Sequence, residues 1–122
     1  MLIRRLVVGG VAALVLGAAA AQAASSFWIN HLTFSGPVSL PGVTLATGTY
    51  TFEAGPLDTD PNIVRVLTRD RRRVLYTGLT TPVSRPSGRV PTVVFGEAPA
   101  GQAMKILVWY PTHGTIGHQF QH

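Results

Sequence analysis

Glycine and proline punctuate this chain so often that a long helix has no room to form. There are 13 glycines and 9 prolines in 122 residues. Beyond residue 23 no stretch holds the three-and-four spacing of an amphipathic helix. What recurs is short runs of β-branched and aromatic residues, each closed by Gly, Pro, Asp or Ser: Phe27–Phe34, Val38–Leu40, Thr47–Glu53, Ile63–Thr68, Val74–Leu79, Val90–Phe95, Met104–Tyr110 and Ile116–Gln121. Runs of this kind read as strands, because branched and aromatic side chains fit a pleated, half-buried surface. In Thr47–Glu53, Tyr50 and Phe52 fall on one face and Thr49, Thr51 and Glu53 on the other, which predicts a strand buried on one side. Ile63–Thr68 and Val74–Leu79 flank Arg69-Asp70-Arg71-Arg72-Arg73 and predict a hairpin. Met104–Tyr110 is the most continuous apolar run and the predicted central strand. About eight or nine strands at spacings of roughly 8–12 residues predict an all-β fold, an antiparallel β-sandwich or a small barrel-like domain.

The first 23 residues have a different character. Arg4 and Arg5 precede an uncharged apolar run from Leu6 to Ala21, and Ala21-Gln22-Ala23 then sets small residues at a cleavage position. That order predicts a signal peptide over 1–23 and a single β domain over 24–122, secreted or periplasmic. The apolar run is shorter than the roughly 20 residues of a spanning helix and contains Gly9, Gly10 and Gly17, so no membrane span is expected after cleavage. Setting the leader aside changes the charge argument. The whole chain carries a formal +5, but 24–122 keeps eight basic and five acidic residues, a net +3. Nucleic acid is therefore not an expected partner. The absence of cysteine removes disulfides, thiol nucleophiles and Cys-ligated metals, so packing alone must hold an exported domain together.

Several segments occur in a recognisable order: Thr33-Phe34-Ser35-Gly36-Pro37-Val38, Gly48-Thr49-Tyr50-Thr51-Phe52, Asn62-Ile63-Val64-Arg65-Val66, Gly96-Glu97-Ala98-Pro99-Ala100-Gly101, Trp109-Tyr110-Pro111 and Gly117-His118-Gln119-Phe120. On this ordered set the chain resembles a family of small exported bacterial proteins, mostly uncharacterised. The family pattern has a proline ahead of Ala-Gly-Thr-Tyr where Leu45-Ala46-Thr47-Gly48 stands, and an arginine where Ala98 stands. The resemblance implies a secreted β-rich fold and brings no activity, cofactor or catalytic residue with it.

Two clusters carry candidate chemistry. The histidines are His31, His113, His118 and His122, and imidazole is the commonest ligand for zinc, copper and nickel. His118 and His122 are spaced for a helix face rather than a strand, so the better metal pair is His31 opposite His118, provided the first and last strands pair. The second cluster is Arg69, Arg71, Arg72 and Arg73, half of the basic residues beyond the leader. On a hairpin turn these guanidinium groups can meet phosphates or carboxylates bidentately. They can equally form a solvated turn that guards the hairpin against edge pairing. Asp58 and Asp60 fall short of a calcium loop, and Glu97 sits in a Gly/Pro loop. There is no nucleophile elbow, phosphate-binding glycine loop or H-E-x-x-H motif, so no catalytic residue and no cofactor are expected. The functional expectation is an exported, non-catalytic β module, structural or interacting in the cell envelope, with an envelope protein or an anionic envelope polymer as partner. A small ligand- or metal-binding protein using the histidines is the alternative, and polyanion binding through Arg69–Arg73 a further one.

Overall fold

The computed structural model describes residues 26–122, so the segment read as a leader lies outside the described residues. Those residues form ten strands and no helix: β1 (Trp28–Phe34), β2 (Val38–Leu40), β3 (Val43–Leu45), β4 (Gly48–Ala54), β5 (Ile63–Thr68), β6 (Val74–Leu79), β7 (Thr81–Ser84), β8 (Val93–Phe95), β9 (Met104–Trp109) and β10 (Ile116–Gln119). They make two sheets. One has the order β1-β4-β5-β6. The other runs β3-β2-β9-β10-β7, with β8 also paired to β9. The sheets are not closed into a barrel, so of the two expected architectures the sandwich-like one is found. Pairing is antiparallel throughout except for β2 beside β9.

The strands beyond the expected number arise where turn chemistry hid them. Pro41-Gly42, with Gly42 at φ +75°, joins β2 to β3 as a two-residue turn, Leu40 opposite Val43. A positive φ at that position suits glycine and proline ahead of it fixes the entry, so the chain reverses rather than ending a run. β7 contains Pro82 and sits at the rim of its sheet, where a missing N–H costs no ladder bond. The hairpin across 69–73 forms as expected, with a register shift at Val66/Leu67. β9 is central, pairing with β2, β8 and β10.

The core lies between the sheets. Phe34, Phe52, Ala54, Val64 and Val66 come from one side and Val38, Leu40, Leu45, Ile106 and Trp109 from the other, with Phe120 just past β10. Phe52 packs on Phe34 and Trp109, with ring centroids 6.0 and 5.6 Å away. The first contact is tilted and the second edge-to-face, and both add to the apolar area that the rings bury. A Phe52→Ala substitution empties the meeting point of the two sheets and is expected to lower unfolding free energy by about 3–5 kcal/mol, read from urea denaturation.

Candidate functional site

β4 departs from the one-sided burial expected of it. Phe52 faces the core, yet Thr51 and Glu53 on the opposite face are buried as well, Glu53 to 1% exposure. A carboxylate out of water needs charged or hydrogen-bonded partners. Glu53 has two. Arg65, its cross-strand neighbour on β5, donates from Nε to Oε1 at 2.8 Å and also pairs through Nη2, while Arg71 reaches from the turn to Oε2 at 2.7 Å. Along the same face His31 Nδ1 meets Thr51 Oγ1 at 3.1 Å and Thr33 bonds Thr49 at 2.8 Å.

Arg71 reaches Glu53 from a left-handed backbone, φ +63°, a region that non-glycine residues seldom occupy. The turn around it is tied by short-range bonds. Arg71 N donates to Thr68 O at 2.8 Å, Thr68 N to Arg73 O at 3.0 Å and Arg73 N to Thr68 Oγ1 at 3.2 Å. Asp70 Oδ1 accepts from Thr68 Oγ1 at 2.6 Å and Arg72 N at 3.0 Å. The Thr68 hydroxyl first, and then the Arg72 amide, hold the Asp70 carboxyl below its usual range.

The four arginines therefore do different things. Arg71 is bonded to Glu53 through Nη2 while its side chain stays 45% exposed, because the left-handed turn aims that group back at the sheet. Arg69, Arg72 and Arg73 remain exposed, and with Thr68 and Asp70 they line an open recess of about 670 Å³. Arg72 lies 3.9 Å from Asp70 in an open position; Arg69 and Arg73 have no acidic partner among the described residues.

The histidines do not converge. β1 pairs with β4, and β10 with β7 and β9, so the pairing of first and last strands that His31 and His118 needed does not occur. Strand alternation turns His31 to the outer face beside Thr51, whereas His118 lies in the core against Trp28 and Trp109, at 6.4 and 5.4 Å between centroids. His113 is exposed in a turn, and His122 Nε2 donates to Ile106 O at 2.8 Å. Among the described residues no group of three or more His, Asp or Glu side chains is placed to hold a metal ion. Of the aromatic residues Trp109, Tyr110 and Phe120 are buried, Trp28 is partly buried and Phe95 is 37% exposed. A cleft of about 210 Å³ between Phe34, Pro37, Phe95 and Met104 is smaller than ordinary ligand pockets of roughly 300–1,000 Å³.

His118 is fully buried and its tautomer follows from its neighbour. Thr80 Oγ1 donates its single proton to Asn62 O at 2.7 Å, so His118 Nδ1 must donate to Thr80 across 3.0 Å. Nε2 is left as a bare acceptor with no hydrogen-bond partner among the described residues. Burial lowers the His118 pKa from 6.5 to about 4. The neutral ring is thus the native form, and between those two values the unfolded chain binds more protons.

Comparison with protein families, curated proteins and solved structures finds no match to this chain.

Two outcomes follow from this geometry. Glu53→Gln keeps the shape of β4 but removes the charge that both arginines face, and is expected to cost about 1–3 kcal/mol in urea denaturation, with the turn amides of 69–73 exchanging faster. Separately, stability should be full above pH 6.5 and fall as the pH drops toward 4, by roughly 2–3 kcal/mol from His118. His118→Phe should flatten that part of the pH profile even if it shifts the absolute midpoint.

Proposed function

We propose that this chain is an exported, non-catalytic β-sandwich module that works by binding in the cell envelope, and that its contact surface is the arginine turn. One observation carries the reading. Local hydrogen bonds and the Arg71–Glu53 pair order the turn, while Arg69, Arg72 and Arg73 stay in solvent around an open recess. Guanidinium groups carried on an ordered turn bind carboxylate or phosphate with less backbone ordering cost than the same groups on a flexible loop. Export is supported by Arg4, Arg5, the apolar run Leu6–Ala21 and Ala21-Gln22-Ala23. The partner is an anionic component of the envelope, and the sequence brings no catalytic motif to the turn.

The test replaces Arg69, Arg72 and Arg73 with serine together and leaves Arg71 in place. Binding to polygalacturonate and to phosphatidylglycerol vesicles should weaken by about tenfold or more, with circular dichroism unchanged. A triple variant that binds both probes as tightly as the original chain would sink the proposal.

A further inference from the structure

The sheets of this domain end in edges, and all but one are short, interrupted or flanked. β3 has three residues. β7 carries Pro82, which has no N–H to offer. β8 also has three residues, and a register shift interrupts its pairing. Along β1, Asn30 Oδ1 accepts from Thr112 N at 3.1 Å and Gly114 sits against Trp28, so the 111–114 turn is fastened to that strand. β6 is different. Val74-Leu75-Tyr76-Thr77-Gly78-Leu79 contains neither proline nor charge, and no strand among the described residues pairs with its outer side. Thr80 N donates inward to Asn62 O at 2.9 Å, and alternation of the ladder then points the main-chain groups of Thr77 and Leu79 outward. Leu79 and Val74 are 73% and 51% exposed. The arginine turn lies at the Val74 end.

Unpaired main-chain donors and acceptors, exposed apolar side chains and unmatched cations at one end define what fits. We infer that β6 accepts an extended acidic segment of a partner protein as a fifth strand of the four-stranded sheet. This rests on the reading of the arginine turn as the contact surface and gives its partner a chemistry. An antiparallel guest runs from Leu79 toward Val74, so its acidic residues belong at its C-terminal end, where Arg73, Arg72 and Arg69 stand. Main-chain bonds along the edge supply affinity, and the arginines select direction and charge. A second copy of this chain fits less well. Paired antiparallel along β6, it would set each arginine turn beside the other copy's Leu79-Thr80-Thr81-Pro82-Val83, which holds no carboxylate.

The test uses a short synthetic peptide of alternating valine and threonine ending in aspartates. It should bind the 24–122 domain within the full chain's expressed form and protect the Thr77 and Leu79 amides from hydrogen exchange. N-methylation of alternate peptide amides should weaken it by about tenfold, as should reversal of the peptide sequence. Thr77→Pro, which removes an outward N–H from an edge strand, should weaken it similarly, and the methylated peptide gives the same information with the protein unaltered. If methylated and reversed peptides bind as well as the parent while the triple serine variant loses all of them, strand addition is overturned and the arginine surface stands. If the triple variant still binds polygalacturonate, the underlying reading falls. Concentration-dependent protection of Thr77 and Leu79 without peptide would overturn the proposal in favour of a second copy.

Discussion

The edge of Phe52 against Trp109 is the contact on which the domain depends. It joins β4 of one sheet to β9 of the other at 5.6 Å, and both residues are completely buried. With no cysteine in the chain, no covalent bond can substitute for this packing. Around it the aromatic chain continues, through Phe34 on one side and through His118 and Trp28 on the other. Placing an imidazole in that stack is tolerable because Thr80 satisfies Nδ1 and the ring stays neutral.

Alternation along β4 then links the core to the surface. Phe52 points inward to Trp109; the next residue, Glu53, points outward and meets Arg65 and Arg71. A buried ion pair is weak evidence for stability, because desolvation offsets much of the attraction, but it fixes geometry well. Here it joins β4 to a turn whose own hydrogen bonds hold Arg71 in a left-handed conformation and display the other arginines. Core packing and the proposed binding surface therefore meet at neighbouring residues of one strand.

Much of the fold was legible in the sequence because period and punctuation are local signals. The β5–β6 hairpin, the central β9 and the alternation of Tyr50 and Phe52 against Thr49, Thr51 and Glu53 could all be read that way. β3 and β7 could not, since three- and four-residue strands beside Pro41-Gly42 and Pro82 carry too few residues to show a period. Burial of Glu53 also escaped local reading. Its cue was a charged residue in each of two adjacent apolar strands, Glu53 and Arg65, but only the register sets them opposite each other. The turn back of Arg71 left no cue at all, because it depends on a single dihedral angle. His31 and His118 show the same limit, since residue type suggested a metal pair and strand order separated them.

The division of the arginines has a consequence for how the domain meets its surroundings. Arg71, 45% exposed, faces a carboxylate at 1% exposure, while Arg72 is 84% exposed beside an Asp70 that is 61% exposed. Mobile salt screens exposed charges over about 10 Å at 0.1 M and affects buried pairs far less. Ionic strength would accordingly act more strongly on the displayed arginines than on Arg71, whose partner is out of water. Binding at the proposed arginine surface and folding would then respond to salinity on separate scales, so a change of medium would release a bound anion from a domain that remains intact.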